Sequence, residues 1–573
     1  MSLLCGFWGS PDEDRLRGMA QRLWHRCTGE DREYRFGDSL QVAFGPDACA
    51  NPLSGVAFDE EVFIALAGMP RHPGCRDIDE LLSEVRKLGI KILDDLRGPF
   101  VGVLVHGGQR YLFRDRSGRR TLYYSEIGGR DHFSIESRAL YQVADYSPEL
   151  LPSSIAQYLA FSFVPGGNTM LRGIREVPAG CYLTQNFSEP ERYFFPEQLE
   201  GKEERSKKEW IQIFDKAFQE SIENTTPPGM AESHVFLSGG IDSSIVTAAL
   251  KEKHGAGNVQ AHAIHFGENY PNELPFIREA ANYCGVNCEE VEINPKSFLP
   301  TLHDVVDSLN DPIGDPVAMP NFLLARHVRN QGVEAVFNGE GGDPLFGGPK
   351  NMTMLLHHWY GDAKEVNHRE KAYLKSYRRG YEELEQLLCP GMRARIDEAE
   401  DLEAVLTPFF NVDEPRSFLK KLFLINMRLK GAHLILPKVE RMLGANGLTP
   451  LSPLFDESLI ELSMRLPGDL LLRNGIEKII LKEAYRGRLP DSIIDRPKSG
   501  MRVPVHYWFK DEMKRYARKV LSKRNIESGG IFDYGRVKQL LKYDIEGGPG
   551  RYGIRLWMLL TFELWRQRVF NDQ

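Results

Sequence analysis

The residues with the clearest chemical potential lie in one run, VFLSGGIDSS, over residues 235–244. An apolar stretch with strand character leads into Ser238, Gly239 and Gly240, where the chain can turn tightly and expose backbone N–H groups. An apolar-periodic helix follows, and the N–H groups and dipole at its start favour a bound anion. Asp242 adds a carboxylate there, which makes chemical sense if a cation such as Mg²⁺ bridges it to phosphate oxygens.

The run indicates attack at the α-phosphorus of a nucleotide. It lacks the Gly-Lys-Ser/Thr of the common triphosphate loop, so γ-phosphate transfer is not the expected reaction. It fits a pyrophosphate held at a helix start. The alternative is a plain glycine turn with a serine N-cap, and the flanking aspartate and serines favour the nucleotide interpretation. The predicted nucleotide-binding residues of this run are Leu237, Ser238, Gly239, Gly240, Asp242, Ser243 and Ser244.

A second run, FNGEGGDPLFGG over residues 337–348, carries two more carboxylates. Glu340 and Asp343 lie in a glycine-flanked turn after a predicted strand over residues 335–338. In a parallel sheet this turn lies at the same carboxyl edge as Asp242, where ligands bind. The alternative is a solvated acidic turn.

The elements that must position these residues follow from the pattern around them. After residue 206, short apolar strands alternate with helices, which predicts a parallel sheet covered on both faces. The predicted strands are 234–237, 261–266, 288–292 and 335–338, and the predicted helices between them are 274–284 and 319–330. From about residue 359 the chain is mostly helical by its periodicity.

The first 195 residues have a different texture, with short alternating or β-branched runs broken by turn residues. They predict a mainly β domain with helices near residues 12–24 and 77–88. Residues 195–206 combine Pro196, Gly201 and a dense run of charges, which predicts an exposed linker and a domain boundary.

Composition places the chain among ordinary globular proteins and narrows its partners. The 573 residues carry a net charge of −8, which argues against broad binding to nucleic acid or to an anionic membrane. The eight cysteines are scattered, so reduced thiols are expected, and Cys284 with Cys288 lacks further ligands for a zinc site. There is no apolar run of about 18 residues and no signal-peptide pattern at the start, so we predict a soluble, cytoplasmic enzyme.

SGGIDSS resembles the pyrophosphate loop of the ATP pyrophosphatase superfamily, and the rest of the chain is similar to its asparagine synthetase branch. That branch includes asparagine synthetases, β-lactam and carbapenam synthetases, and the macrolactam synthetases of lasso peptides. The other segments that carry the resemblance are RDRSGRRTLYY (114–124), YLAFSFVPG (158–166), FNGEGGDPLFGG (337–348), PKVERMLGANGLTPLSPLFD (437–456, in part) and GIEKIILKEAYRGRLPDSIIDRPKSGMRVPVHYWF (475–509).

The resemblance implies a fold of two domains. Residues 1–195 correspond to a glutamine amidotransferase type 2-like domain with the αββα sandwich of the Ntn hydrolases. Residues 206–573 correspond to a parallel-sheet ATP pyrophosphatase domain, of the adenine nucleotide α-hydrolase-like type, with a helical C-terminal part. The fold class is therefore α/β.

The resemblance also implies roles for single residues, with ATP and Mg²⁺ as cofactors. Asp242 and Asp343 hold Mg²⁺ on the pyrophosphate, Gly339 contributes to nucleotide binding, and Glu340 lies near the attacking amine. Lys498 is the predicted catalytic lysine, because its rigid Arg-Pro-Lys-Ser-Gly turn can aim an ammonium at developing negative charge. A second lysine, Lys478, also matches a family position for cofactor binding. It lies on a helical pattern, so a solvated face residue is the alternative there.

Several departures from asparagine synthetase concern the amino-terminal domain. Glutamine-dependent members carry the catalytic cysteine as the mature first residue, whereas this sequence reads Met1-Ser-Leu-Leu-Cys5. The place of their Asn-Gly-Glu reads Ala67-Gly68-Met69, and no Arg-Leu-Ser segment is clear between residues 36 and 58. We therefore expect a degenerate glutaminase domain, with Cys5 as a small buried hydrophobe.

The block over residues 437–456 departs as well. Asparagine synthetases carry a glutamate and an arginine where this chain has Thr449 and Leu451, so free aspartate is a doubtful substrate. Glu340 stands where β-lactam-forming relatives carry tyrosine, so a β-lactam product is also disfavoured.

The function we predict is an AMP-forming carbon–nitrogen ligase. It adenylates a small-molecule or peptide carboxylate and passes it to an amine without glutamine hydrolysis, either as another asparagine synthetase-like ligase or as a lasso-peptide-type macrolactam synthetase. A precursor peptide and a leader-peptide protease are the partners this implies, with neither nucleic acid nor membrane. The alternatives are a glutamine-hydrolysing asparagine synthetase and a non-catalytic binding protein on a retired synthetase fold.

Overall fold

The structure is a computed structural model. It describes residues 2–26, 31–37, 39–47, 49, 51–184, 187, 189–201, 203–270, 272–348, 350–361, 367–377, 379–397, 402–413, 415, 417–497, 500–546 and 552–571. Among the helices in these ranges, none is both long and apolar enough to cross a bilayer.

The N-terminal domain is built on two antiparallel sheets. Their strand orders are β10-β8-β9-β1-β3-β2 and β12-β11-β7-β6-β5-β4. The strands are β1 (Leu3–Trp8), β2 (Arg32–Phe36), β3 (Leu40–Gly45), β4 (Gly55–Phe58), β5 (Phe63–Gly68), β6 (Phe100–His106), β7 (Gln109–Arg114), β8 (Tyr123–Ile127), β9 (Arg130–Ser134), β10 (Arg175–Glu176), β11 (Cys181–Leu183) and β12 (Glu191–Arg192).

Helices cover the outer faces of both sheets. The helices of this domain are α1 (Glu13–Gln21), α2 (Ile78–Leu88), α3 (Arg138–Tyr141) and α4 (Pro152–Phe161). Helices α1 and α3 contact the first sheet, and α2 contacts the second. The layers therefore run helix, sheet, sheet, helix, which confirms the predicted αββα sandwich. Asp77 explains where α2 begins, because its side chain accepts a hydrogen bond from the backbone N–H of Glu80 as an N-cap.

The second domain contains a five-stranded parallel sheet of order β15-β14-β13-β16-β17. The strands are β13 (Ser233–Phe236), β14 (Val259–His265), β15 (Asn287–Glu292), β16 (Ala335–Phe337) and β17 (Thr449–Leu451). The chain leaves β13 toward β14 on one side and later returns to place β16 on the other. The order therefore reverses between β13 and β16, and in such sheets ligands bind in the crevice at this point.

The remainder of the second domain is mainly helical, as predicted. Its helices are α5 (Lys207–Thr225), α6 (Ile241–His254), α7 (Leu274–Cys284), α8 (Pro295–Phe298), α9 (Leu302–Asp307), α10 (Ala318–Arg329), α11 (Gly342–Phe346), α12 (Lys350–Tyr360), α13 (His368–Ser376), α14 (Leu384–Leu387), α15 (Pro390–Asp397), α16 (Thr407–Phe410), α17 (Phe418–Ile425), α18 (Leu436–Gly444), α19 (Glu457–Arg465), α20 (Gly468–Leu471), α21 (Ile479–Tyr485), α22 (Asp491–Ile494), α23 (Val505–Trp508), α24 (Lys514–Val520), α25 (Lys523–Gly529), α26 (Tyr534–Glu546) and α27 (Tyr552–Asn571). A small hairpin is formed by β18 (Leu472–Arg473) and β19 (Ile476–Glu477). Between α17 and α18 the chain forms a π-helix, Asn426–Ile435.

The two domains meet over buried polar contacts. Arg119 of the first domain pairs with Glu457 of α19 at 2.9 Å, and both side chains are buried. Arg26 pairs with Glu440 of α18 at 2.8 Å. Each of these pairs contributes to the docking of the domains, because removing one partner leaves the other charge buried and uncompensated.

Cys5 lies in the middle of β1, between its neighbours β3 and β9. Its side chain is fully buried in the sandwich core, as expected for a small hydrophobe. Burial raises the pKa of the Cys5 thiol well above its usual range, so the reactive thiolate is disfavoured.

We therefore expect Cys5 to resist alkylation by iodoacetamide in the folded protein and to react once the chain is denatured. Cys389, which is partly exposed, is the internal control and is expected to label in the native state. Peptide mass spectrometry reads out both sites. Native labelling of Cys5 as fast as that of Cys389 would contradict the buried position.

Candidate active site

Two loops meet at the switch point of the parallel sheet. The first follows β13 and leads into α6, and the second follows β16 and leads into α11. A Cβ atom on Gly339 would lie 2.5 Å from the backbone nitrogen of Ser243, and one on Gly342 would lie 2.1 Å from Oδ1 of Asp242. Only glycine permits this approach, so the glycines bring the acidic turn against the start of α6.

The first loop is closed by its own side chains. Gly239 has a φ of +70°, which the tight turn requires and which glycine adopts without strain. The backbone N–H of Ser238 donates to Oγ of Ser243 at 3.0 Å, and the two hydroxyl oxygens lie 2.9 Å apart. Helix α6 begins at Ile241, two residues before Ser243, with Gly240 as N-cap. Its first N–H groups are therefore presented at this loop.

Lys478 joins the two loops. Its Nζ lies 2.6 Å from Oδ2 of Asp242 and 2.5 Å from Oδ1 of Asp343. The lysine is only 2% exposed, and its φ of 59° places it in the left-handed region just before α21. The alternative of a solvated helix face is therefore wrong for Lys478.

The two carboxylates fit the predicted Mg²⁺ site. Both carboxylates contact the ammonium of Lys478. Because Gly342 has no side chain, the Asp242 carboxylate can also lie against the start of α11. Mg²⁺ is usually bound by one or two carboxylates together with substrate phosphates and water. Asp242 and Asp343 are thus the residues that would hold it beside a pyrophosphate at the start of α6.

Most predicted site residues line one open cleft. Those in its wall are Leu237, Ser238, Gly240, Asp242, Ser243, Gly339, Glu340 and Asp343. Lys478 lines an adjoining groove together with Gly240 and Ile241. Ser244 is instead fully buried in the core. Gly239 forms the turn itself, where its carbonyl accepts a hydrogen bond from Arg496 at 3.3 Å. Lys498 lies outside the described residues.

The cleft also contains polar residues that the sequence did not single out. Lys438 of α18 donates to Oδ2 of Asp315 at 2.7 Å. Burial alone would lower the pKa of Lys438, but the nearby carboxylates of Asp315 and Glu340 raise this pKa above its usual value. The lysine therefore stays charged. The position of Lys438 in the block 437–456 could have indicated that it belongs to the site. No feature of the sequence indicated Asp315.

Asn338 is a second residue missed from the sequence. It follows β16 and is 4% exposed. Its Oδ1 accepts hydrogen bonds from the backbone N–H of Glu340 and from Oγ of Ser452, each at 3.0 Å. These bonds fix the Glu340 backbone at the cleft wall.

In the N-terminal domain, the backbone N–H of Gly68 donates to Oγ of Ser2 at 3.2 Å. Ser2 lies just before β1 and is 4% exposed. The hydroxyl next to Gly68 therefore belongs to Ser2, while Cys5 lies further along the strand.

Comparisons with known proteins give the family of this chain. The sequence model of the asparagine synthase family matches residues 214–567, and that of a glutamine amidotransferase domain matches residues 71–194. The chain belongs to the asparagine synthase family. It is thus an asparagine synthetase-like amide ligase that uses ATP.

Curated relatives carry corresponding names. The chain is 26% identical to asparagine synthetase [glutamine-hydrolyzing] 1 of Bacillus subtilis, over 98% of this chain and 96% of the relative. It is 25% identical to asparagine synthetase B [glutamine-hydrolyzing] of Escherichia coli, over 79% and 69%. Among solved structures, the allosteric regulatory enzyme of purine biosynthesis matches at 12% identity and a TM-score of 0.25, over 51% of this chain and 80% of that one.

We predict that Gly339→Ala disrupts the site. Its new Cβ would meet backbone atoms of Asp242 and Ser243 at 2.8 and 2.5 Å, which no side-chain rotation relieves, so the two loops must separate. We expect Mg-ATP binding at least tenfold weaker by calorimetry. Gly257→Ala is the matched control, because nothing lies within 4 Å of its added Cβ; equal binding by both variants would refute the close approach.

A second prediction concerns Lys478→Met. Loss of the ammonium leaves the carboxylates of Asp242 and Asp343 close together, which lowers the free energy of unfolding by about 3–5 kcal/mol. Urea denaturation of the full chain measures this loss. Lys482→Met is the control, since Lys482 lines the same groove. If both variants lose the same amount, the ion triad does not stabilise the site.

Proposed function

We propose that this ligase adenylates a carboxylate of its substrate and joins it to an amine without hydrolysing glutamine. The observation that carries the proposal is the contrast between the two domains. Asp242, Glu340, Asp343 and Lys478 are retained around the start of α6. The only cysteine near the start of the amidotransferase-like domain, Cys5, is instead buried within β1.

The chemistry takes two steps. A carboxylate oxygen of the substrate attacks the α-phosphorus of ATP, a new O–P bond forms, and the bond to the β-phosphate oxygen breaks to release pyrophosphate. The amine then attacks the acyl carbon, AMP leaves with the C–O bonding electrons, and the amine loses a proton. Glu340 is the proposed acceptor of that proton. Mg²⁺ supplies charge neutralisation of the pyrophosphate.

Residues of this chain supply the rest of the proposed mechanism. The first N–H groups of α6 bind the pyrophosphate oxygens, as helix starts bind anions. Lys478 holds the carboxylates of Asp242 and Asp343 beside the bound pyrophosphate. Lys498 stays a prediction for the charge that develops at the acyl carbon.

The block over residues 437–456 supports a substrate other than free aspartate. Thr449 is fully buried in β17 and donates to Oδ1 of Asp47 at 2.8 Å. Leu451 is also fully buried. Where asparagine synthetases carry two charged residues, this chain therefore has two core positions. A peptide whose side-chain carboxylate is closed onto its own N-terminal amine, as in lasso macrolactams, fits this pattern, and so does another small carboxylate with a separate amine.

A glutamine-hydrolysing asparagine synthetase is the second candidate, favoured by the names of the relatives in Bacillus subtilis and Escherichia coli. The two candidates differ in the source of nitrogen. Pyrophosphate release is to be measured with Mg-ATP and three substrate mixtures: aspartate with ammonia, aspartate with glutamine, and a linear peptide with an aspartyl side chain and a free amine. Glutamate release from glutamine would overturn the proposal. Loss of one water from the peptide, seen by mass spectrometry, would support the macrolactam form.

We predict that Asp242→Asn lowers pyrophosphate release by about 100-fold or more, because it removes a charged group that organises the reacting phosphates. Asp491→Asn is the control, since its carboxylate is 76% exposed and pairs with Arg486; it should keep the wild-type rate. Wild-type activity of Asp242→Asn would refute the role of Asp242 in the reaction.

A further inference from the structure

The π-helix Asn426–Ile435 forms one wall of the cleft. Lys430, Leu434 and Ile435 line it, and α18 continues the wall with Lys438 and Val439. π-helices are rare and are frequently found at functional sites. The contacts that hold this segment are therefore of interest.

The sequence removes one backbone hydrogen-bond donor that this segment would need. The backbone N–H of Leu436 bonds the carbonyl of Gly431, five residues back. By the same register, the carbonyl of Ala432 would bond the N–H of residue 437. That residue is Pro437, which has no N–H. Since buried carbonyls are nearly always paired, Ala432 needs a donor from elsewhere.

The N-terminal domain supplies this donor. Nη2 of Arg114 donates to the carbonyl oxygen of Ala432 at 3.1 Å. Arg114 is fully buried, and its other donors reach the carbonyls of Val177 and Gly118, each at 2.9 Å. A Cβ on Gly118 would lie 3.0 Å from Cβ of Ala432, so glycine lets this segment come close to the π-helix.

The adjacent residue of the π-helix is held in the same way. Nη1 of Arg114 lies 2.8 Å from Oε1 of Glu176, and Oε2 of Glu176 accepts a hydrogen bond from Nδ1 of His433 at 2.9 Å. Burial alone would raise the pKa of Glu176, but the charge of Arg114 and the contact with His433 lower it to about 2. The glutamate is thus ionised and bridges the two domains.

A third contact lies one turn earlier. Arg428 of the π-helix donates to the carbonyl of Ala179 at 3.2 Å and to that of Phe194 at 2.8 Å. Residues 428, 432 and 433 therefore contact the N-terminal domain, whereas residues 430, 434 and 435 line the cleft. The two sets are offset by two residues, so they occupy different faces of the same helix.

We propose that the N-terminal domain is retained to hold the π-helix, with Arg114 and Glu176 as positioning residues for the wall of the synthetase cleft. The contacts stand without the proposed function; only the effect on turnover rests on it. The amidotransferase-like domain then contributes to amide formation by fixing the shape of the substrate cleft, whatever its own catalytic state.

Hydrogen–deuterium exchange of the full chain tests the proposal without any substrate. In Glu176→Gln we expect amides of residues 426–436 to exchange at least fivefold faster than in the wild type. Glu457→Gln is the matched control: its carboxylate is also buried between the domains, where it accepts hydrogen bonds from Arg119 and from the Gly98 backbone. Wild-type exchange at 426–436 in this control is the expected result. Unchanged exchange in Glu176→Gln, or an equal rise in both variants, would overturn the proposal.

A rescue experiment separates a missing hydrogen bond from general damage. Arg114→Gln should also raise exchange at 426–436, and adding Pro437→Ala should reverse most of that rise because it restores a backbone donor for Ala432. No reversal would sink the role assigned to Arg114. If Glu176→Gln fails to fold, His433→Gln tests the same bridge. Pyrophosphate release, assayed with the active substrate mixture, should fall at least fivefold in Glu176→Gln and stay unchanged in Glu457→Gln.

Discussion

The site depends on one electrostatic constraint, which is the sharing of the Lys478 ammonium by Asp242 and Asp343. Two carboxylates this close would repel each other in a half-buried cleft, and the lysine makes their approach favourable. The parallel pairing of β13 with β16, aligned at Val235 and Phe337, brings the two loops to one edge. The glycines of the second loop remove the last steric obstacle. The site is thus formed by distant parts of the chain. The sheet order, the turn glycines and a buried lysine together bring Asp242 and Asp343 close to each other.

Much of this was accessible from sequence, because the signals are local. Alternating strands and helices have their own periodicities, and the helix predicted over residues 274–284 was confirmed as α7, Leu274–Cys284. The expectation that Asp242, Glu340 and Asp343 share one sheet edge was also confirmed, since strands of a parallel sheet end on the same side. Neither inference needed to know which residues pack against each other.

What the sequence did not reveal depends on contacts between distant segments. Lys478 has the spacing of a helix face, yet its left-handed backbone places it before α21 and turns its side chain inward. Ser244 follows the same motif as Ser243 but lies on the buried side of α6. The pair of Lys438 and Asp315 joins residues more than one hundred positions apart. No pattern of composition or period encodes such pairs.

The proline after the π-helix has a consequence for how such a chain can evolve. Pro437 cannot donate to the carbonyl of Ala432 in the synthetase domain, and Arg114 of the N-terminal domain donates to it instead. Gene fission, or deletion of the first domain, would therefore expose an orphan acceptor beside the substrate cleft. A first domain that had lost its own reaction would still be kept because it donates this hydrogen bond. Pro437 would have to be replaced by a residue with a backbone N–H before that domain could be lost.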